Sequence, residues 1–151
     1  MTVDATDRVV LIVDDDAEDR MFTREALLTA APGVDVREAE DGVAFLEYLQ
    51  STGPDRPFPD LVLLDLKMPR MDGFEVLEVI RADPELRHLP IVAVFTTAND
   101  PDFVRRTYAD GANGFLGKPA THEELAAMMR VVVEYWFGAT SLPPRGLGPR
   151  G

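Results

Sequence analysis

The sequence contains no cysteine, which excludes a disulfide framework and any thiolate metal site. It also has no apolar run of the roughly 18–20 residues that a membrane-spanning helix needs. Basic residues are scarce: 15 Lys and Arg stand against 27 Asp and Glu, which gives a formal net charge of −12. Nucleic acids and anionic membranes bind basic faces, so this balance disfavours both as partners. The acidic residues 1–7 do not resemble a signal peptide, and we expect a cytoplasmic location.

Apolar residues make up 46% of the 151-residue chain, which is enough for the core of one globular domain. We predict a disordered N-terminus over residues 1–7 and one folded domain over residues 8–138. Residues 139–151 are rich in proline and glycine and are predicted to form a tail without regular structure.

Short apolar runs alternate with longer segments of helical period, a pattern typical of a parallel sheet with helices on both faces. Three runs are continuously apolar, as strands covered on both sides should be: Val9–Val13, 61–64 and Ile91–Phe95. Residues 34–36 alternate, and residues 113–117 form a short, weak run, so both are predicted as edge strands. The β-α unit occurs five times, which predicts an α/β fold.

The segments between and after these runs have the spacing of apolar residues that predicts helices. The predicted helices cover residues 17–31, 42–50, 74–82 and 101–110, and a last one starts at Thr121. Asp100 before Pro101 is a good helix start, and Thr121 with Glu124 has the spacing of a capping box.

Polar side chains follow the apolar runs, at the strand ends where open α/β sheets bind ligands. The first and third runs are followed by acids, the fourth by a hydroxyl and the fifth by an ammonium: Asp14, Asp15, Asp16, Asp65, Thr96 and Lys118. Closely spaced carboxylates must protonate or share a cation, and Mg²⁺ prefers carboxylates, water and substrate phosphate. The sequence therefore predicts a Mg²⁺ site. Asp65 would be a nucleophile toward phosphorus, with Lys118 and Thr96 neutralising the phosphoryl oxygens.

Taken one at a time, these residues have ordinary structural explanations. The acidic residues 14–16 can cap the following helix, Asp65 and Lys118 can be turn residues, and Thr96 can be bonded to backbone. Their joint placement at the ends of successive strands favours a functional site.

These motifs resemble the receiver domain of bacterial response regulators. The matching stretches are residues 14–15, 65–73 (DLKMPRMDG), Thr96 and 115–119 (FLGKP), and the resemblance covers about residues 8–137. It implies that residues 8–138 are a receiver with a flavodoxin-like, doubly wound (βα)5 fold. The five-stranded parallel sheet would have the order 2-1-3-4-5. The protein would not be an enzyme in the usual sense, since it takes part only in its own Mg²⁺-dependent phosphorylation and dephosphorylation.

The resemblance also assigns roles to the residues around the phosphoryl group. Asp65 would accept that group from a histidine kinase, and Thr96 and Lys118 would contact it. Phe115 would be an aromatic switch that turns inward when Thr96 moves toward the phosphoryl group. The Lys118–Pro119 peptide bond would be cis, which only an X-Pro bond adopts at small cost.

The metal ligands that the resemblance implies are Asp15, Asp65 and the backbone carbonyl of Lys67. Asp14 would act mainly through water. These four positions together would hold one Mg²⁺.

A narrower resemblance is to the stand-alone receivers that are paired with phytochrome histidine kinases. It rests on the doubled Thr96-Thr97, on Asp19, and on residues 134–137 (EYWF) followed by residues 139–143. That subgroup lacks an output domain and signals by association. The expected partner is therefore a phytochrome-type histidine kinase.

The last helix has a broad apolar stripe. Residues at helical spacing should cover the sheet: Leu125, Met129, Val132 and Trp136. Met128, Val131 and Tyr135 lie beside them and widen the stripe, which is either a broad core face or a contact surface. We predict a homodimer through this helix and the segment after it, with Met128, Val131, Tyr135 and Trp136 in the interface.

Three other functions compete with this interpretation. A haloacid-dehalogenase-like phosphatase also uses a strand-end aspartate and Mg²⁺, but it needs a second aspartate where this chain has Lys67. The chain also has no room for a cap domain. A receiver that only scaffolds, without phosphorylation, is the second alternative, and a DNA-binding regulator is disfavoured by charge.

Overall fold

Five parallel strands form one sheet in the order β2-β1-β3-β4-β5 in the computed structural model, which describes residues 3–95 and 100–143. The strands are β1 (Val9–Val13), β2 (Asp35–Ala39), β3 (Leu61–Asp65), β4 (Ile91–Phe95) and β5 (Gly114–Gly117). The predicted flavodoxin-like fold and its strand order are therefore confirmed. The two runs predicted as edge strands, β2 and β5, lie at the edges.

Five helices alternate with the strands: α1 (Ala17–Ala30), α2 (Gly42–Gln50), α3 (Gly73–Ala82), α4 (Pro101–Ala109) and α5 (His122–Val133). A π-helical segment, Glu134–Ala139, continues α5. Each of the five helices starts after a side chain that accepts a hydrogen bond from an otherwise unpaired backbone N–H, which stabilises the helix start. These N-cap residues are Asp16, Asp41, Asp72, Asp100 and Thr121.

Both faces of the sheet are covered, and this explains why the central strands are apolar throughout. Leu11 and Val13 of β1 point into a core cluster that contains the buried residues of α2 and α3. Val10 and Ile12 belong to a second cluster with buried residues of α1 and α5. Successive strand residues face opposite sides, so a strand between two helical layers needs an apolar side chain at every position.

The segment before β1 has contacts with the end of α1. The Val3 N–H donates a hydrogen bond to the Ala30 carbonyl at the end of α1, at 3.1 Å. Ala5 is fully buried in the second cluster, together with Ala31 and Val34. Val3 and Ala5 therefore contact the end of α1, and disorder of residues 1–7 stays a prediction.

Arg81 joins three segments at the end of the sheet opposite the strand-end carboxylates. From α3, its guanidinium donates to the carbonyls of Gly111 at 2.8 Å, Arg87 at 2.7 Å and Leu89 at 2.8 Å, and to Asn113 Oδ1 at 2.9 Å. Asn113 Oδ1 also accepts the Ile91 N–H at 2.8 Å. Burial lowers the pKa of Arg81. One side chain thus ties α3 to the starts of β4 and β5.

Within the described part of the chain, none of the helices combines the length and apolar character needed to cross a bilayer.

Candidate functional site

Three carboxylates meet at the carboxyl end of the sheet. Asp65 is the last residue of β3, and Asp14 and Asp15 follow the adjacent strand β1. One carboxylate oxygen from each of the three lies within 4.8 Å of the others. Asp14 and Asp65 are buried, whereas Asp15 is exposed. The three acids that the sequence analysis proposed as metal ligands therefore lie together in the structure, at the carboxyl ends of neighbouring strands.

The two buried carboxylates are held in the same way, with one oxygen bound to a backbone N–H and the other directed toward Lys118. Asp14 Oδ1 accepts the Asp16 N–H at 2.9 Å, and Asp65 Oδ1 accepts the Lys67 N–H at 2.9 Å. The remaining oxygen of each faces the same ammonium: Lys118 Nζ lies 3.7 Å from Asp14 Oδ2 and 3.5 Å from Asp65 Oδ2. Each carboxylate is thus fixed by its own turn and keeps one oxygen toward the centre of the site.

Lys118 has a third acidic neighbour. Asp19, in the first turn of α1, places its Oδ2 at 2.9 Å from Lys118 Nζ, which is a shorter contact than either of the other two. The Lys118 side chain is 26% exposed, so the ammonium lies at the rim of the site.

Burial is the largest single influence on the pKa values of the site. The pKa of Asp14 is raised to about 6, mainly by burial and also by the Asp65 and Asp19 carboxylates, while the hydrogen bond from the Asp16 N–H and the charge of Lys118 act to lower it. Burial also raises the pKa of Asp65. For Lys118, burial alone would lower the pKa, but the hydrogen bond to Asp19 and the charges of Asp14 and Asp65 raise it. The buried carboxylates therefore carry more negative charge than one ammonium balances.

This donor set fits a hard divalent cation. Mg²⁺ binds oxygen ligands, commonly a few carboxylates completed by water and phosphate, and a cation relieves the repulsion between close carboxylates. Asp14, Asp15 and Asp65 supply such oxygens. The Lys67 N–H is bound to Asp65, and Lys67 itself is exposed. A ligand role for its carbonyl stays a prediction.

The site opens into a cleft of about 450 Å³. Its lining comes from the ends of β1, β3 and β5 and from the start of α1: Asp15, Asp16, Asp19, Asp65, Lys67, Met68, Pro69 and Lys118.

The loop after Asp65 is held from two sides. Arg70, with a positive φ of 66°, makes an ion pair with Asp41, the buried N-cap of α2. The Gly73 N–H donates to the Leu66 carbonyl at 3.1 Å. These contacts connect the loop to α2 and to the start of α3.

Gly73→Ala is expected to destabilise the protein and to weaken Mg²⁺ binding. A Cβ at Gly73 would lie 2.7 Å from Leu66 Cα and 3.0 Å from the Asp65 carbonyl oxygen, so the end of β3 must shift. Overpacking of this kind costs about 1–3 kcal/mol. Urea unfolding and a Mg²⁺ titration would measure both effects. Gly53→Ala is the matched control, since a Cβ there meets nothing within 4 Å. If Gly73→Ala is as stable as the wild type, the turn accommodates a Cβ without strain and the expected overpacking is wrong.

The remaining predictions for the site concern Thr96, Phe115 and the Lys118–Pro119 bond. Thr96 lies outside the described residues. Phe115, in β5, is half-buried and packs against the first core cluster, and its role as a switch stays a prediction. The Lys118–Pro119 bond is trans, so the prediction of a cis bond is wrong. Trans is the form that X-Pro bonds favour, by about 0.5–1 kcal/mol.

The predicted interface residues divide into two pairs. Val131 is 64% exposed and Tyr135 is 53% exposed. Met128 and Trp136 are half-buried and pack against the second core cluster.

Comparison with known proteins identifies the family. Residues 10–130 match the model of the response regulator receiver domain, and the chain belongs to this family. It is a response regulator of the two-component type.

The relatives include whole proteins of similar size. Response regulator Rcp1 from Synechocystis is 33% identical over 138 residues, which cover 90% of this chain and 93% of Rcp1. The probable methanogenesis regulatory protein FilR2 from Methanothrix harundinacea is 35% identical over 136 residues, which cover 89% of this chain and 87% of FilR2. The phosphorylated cyanobacterial phytochrome response regulator RcpA has a crystal structure that superposes with a TM-score of 0.82 at 30% identity, covering 91% of this chain and 99% of RcpA. Rcp1 itself has a Mn²⁺-bound crystal structure, with a TM-score of 0.80 at 32% identity and coverage of 91% and 99%.

Two residues that contact the site were not selected as site residues in the sequence analysis. Asp19 entered only through the narrower resemblance, although its place in the first turn after Asp15 puts it at the same sheet edge. Arg20 donates to the Asp14 carbonyl at 2.7 Å and pairs with Glu38 at 3.0 Å. Arg20 has no comparable sequence signal, because its partners belong to different elements.

Proposed function

We propose that Asp65 accepts a phosphoryl group from a histidine kinase, in a site that binds Mg²⁺. The observation that supports this most is the arrangement of Asp65. It is buried beside two further carboxylates, one of its oxygens is fixed by the Lys67 N–H, and the other faces Lys118 at 3.5 Å.

The chain's own residues would divide the chemistry between them. Asp65 Oδ2 attacks phosphorus as the bond from phosphorus to the kinase's histidine nitrogen breaks, and that nitrogen keeps the electron pair. Lys118 stabilises the charge on the transferring oxygens. Thr96 is proposed as a second donor to the phosphoryl group. Phe115 is proposed as the aromatic switch, which would turn inward when Thr96 moves toward the phosphoryl group.

The ligands proposed for Mg²⁺ are Asp15, Asp65 and the Lys67 carbonyl, with Asp14 acting through water. When bound, the cation neutralises charge on the phosphoryl oxygens and offsets the repulsion among the carboxylates.

The kinase that we propose as a partner is of the phytochrome type. This proposal is supported by the similarity of the chain to RcpA, which is named as a phytochrome response regulator. The chain is also similar to the bacteriophytochrome response regulator AtBRR, with 37% identity and a TM-score of 0.65. Phosphorylation by such a kinase uses ATP, so we propose a cytoplasmic location.

The test is the intact mass of the protein after incubation with acetyl phosphate, with and without Mg²⁺. We expect a single phosphoryl adduct that requires Mg²⁺. If no adduct forms, beryllofluoride binding separates a short-lived phosphoprotein from a receiver that only scaffolds. Binding would indicate rapid loss of phosphate, and failure of both measurements would contradict the proposal.

We also propose that the protein forms a homodimer through α5 and the π-helical segment. Three exposed apolar residues follow one another at a spacing of four: Ala127, Val131 and Tyr135. Such a stripe on one face typically marks a contact, and a two-fold dimer would place the same face of each copy together. Met128 and Trp136 would support this surface from the side that packs on the sheet.

Val131→Glu is expected to shift the protein toward the monomer, since it places a charge at the centre of the proposed contact. Sedimentation of wild type and variant at matched concentrations measures the change. Val79→Glu is the control, because Val79 is 43% exposed but lies on α3. A wild-type protein that is monomeric at all concentrations, or a Val131→Glu protein that associates like wild type, would contradict the proposed interface.

A further inference from the structure

Lys118 makes its shortest contact with a residue that has no assigned role. Its Nζ lies 2.9 Å from Asp19 Oδ2, compared with 3.5 Å and 3.7 Å from the oxygens of Asp65 and Asp14. Only the contact with Asp19 has the length of a strong charged hydrogen bond. The ammonium thus makes its hydrogen bond on the α1 side of the site and lies at ion-pair distance, beyond the usual hydrogen-bond length, from the two buried carboxylates.

Asp19 is well placed to hold that ammonium. It belongs to the first turn of α1, and its backbone N–H donates to Asp16 Oδ1 at 3.2 Å. The N-terminus of a helix stabilises a negative charge. The carboxylate therefore stands on a rigid element, from which it anchors the flexible end of the lysine side chain.

Without Asp19, the ammonium has two other carboxylates within reach. A lysine side chain has a flexible four-carbon stem, so a shift of less than an ångström, about 0.7 Å by the usual hydrogen-bond length, would bring Nζ onto Asp65 Oδ2. Asp14 Oδ2 is the second oxygen within reach, at 3.7 Å. Both oxygens belong to carboxylates of the proposed cation site, so an ammonium bound to them would compete with the cation for these carboxylates.

We infer that Asp19 is a positioning residue that holds the Lys118 ammonium away from the metal-binding carboxylates, so that a divalent cation and the ammonium occupy the site together. With one ammonium N–H directed to Asp19, two donors remain for a phosphoryl group at Asp65. The inference rests on the proposed function, in that the cation and the phosphoryl group are the proposed ligands of the site.

The experiment measures the affinity for Mn²⁺ by the electron paramagnetic resonance signal of the free ion, in a double-mutant cycle. The four proteins are wild type, Asp19→Asn, Lys118→Met and the double variant. In the protein that keeps Lys118, Asp19→Asn should weaken Mn²⁺ binding about tenfold. In the Lys118→Met background, the same substitution should weaken it by less than about twofold. The difference between the two factors corresponds to an interaction energy typical of residues in direct contact. Competition with Mg²⁺ should give the same ratios.

Two further variants separate this effect from general electrostatics. Glu18→Gln removes one negative charge from the same turn of α1 and should change the affinity less than about twofold. Asp19→Glu keeps the carboxylate and should restore most of the affinity that Asp19→Asn loses. Circular dichroism checks that each variant is folded.

The inference is overturned if Asp19→Asn weakens Mn²⁺ binding by the same factor with and without Lys118, because loss of charge would then explain it. It is also overturned if Asp19→Asn has no effect, or if the wild type binds no Mn²⁺. The cycle needs no phosphorylation, so it can succeed when labelling of Asp65 fails. Labelling of Asp65 can equally succeed when the cycle shows no coupling.

Discussion

Asp65→Asn is expected to abolish the Mg²⁺-dependent adduct formed with acetyl phosphate. The substitution keeps the shape of the side chain and an oxygen that can accept the Lys67 N–H, but it removes the nucleophile. The loss should exceed the about 100- to 1,000-fold that removal of a single stabilising donor costs. Intact mass spectrometry of the two proteins over time measures it.

Asp102→Asn is the control for that experiment. Asp102 has an exposed side chain in the first turn of α4, where it pairs with Arg105, and it lies outside the carboxylate cluster. The control should be labelled at the wild-type rate. If Asp65→Asn is also labelled at the wild-type rate, the acceptor is another residue, and the proposed role of Asp65 is wrong.

Asp14→Asn is expected to stabilise the protein in the absence of divalent cations. Burial raises the pKa of Asp14 to about 6 from its ordinary value of 3.8, so at pH 7 the folded state holds a charge that it disfavours. The free energy of unfolding should rise by about 1–3 kcal/mol, since one pKa unit corresponds to about 1.4 kcal/mol. Urea unfolding in EDTA at pH 8 measures the difference.

The pH dependence of this gain has a definite sign. Below pH 3.8 the Asp14 carboxyl is protonated in both the folded and the unfolded state. Between pH 3.8 and about 6 the folded state binds more protons than the unfolded state, so the contribution of Asp14 to stability falls as the pH rises and levels off above that range. The advantage of Asp14→Asn should therefore be near zero at pH 4 and largest above pH 6. An Asp14→Asn protein less stable than wild type at pH 8 would contradict this.

Mg²⁺ provides the complementary measurement. A cation that binds only the folded state stabilises it by RT ln(1 + c/Kd), where c is the free cation concentration, so the wild type should gain stability as Mg²⁺ is added. Asp14→Asn should gain less, because one carboxylate of the cluster is neutral. Asp102→Asn should behave like the wild type in both measurements.

The fold could be predicted from the sequence because its main rule is local. Strands buried on both faces are apolar at every position, as Val9–Val13 is, and the helices between the strands carry their own caps. The placement of Asp14, Asp15 and Asp65 followed from one property of parallel sheets, namely that the carboxyl ends of neighbouring strands lie together.

Features that depend on contacts between distant side chains could not be predicted. Neither spacing nor periodicity indicates that Asp19 pairs with Lys118, or that Arg70 pairs with Asp41. The position of Ala5 against the end of α1 depends on packing with residues that are distant in the sequence. The change to π-helical geometry over Glu134–Ala139 also has no signal in the spacing of apolar residues.

The hydrogen bonds of Arg81 limit how β4 and β5 can move. Sliding one strand along the other would break contacts of the same guanidinium with Leu89, Gly111 and Asn113, so the pairing register is locked at that end. The two strands are thus held in register at the end of the sheet opposite the carboxylate site. A chemical change at that site therefore leaves this pairing in place as long as the hydrogen bonds of Arg81 are kept.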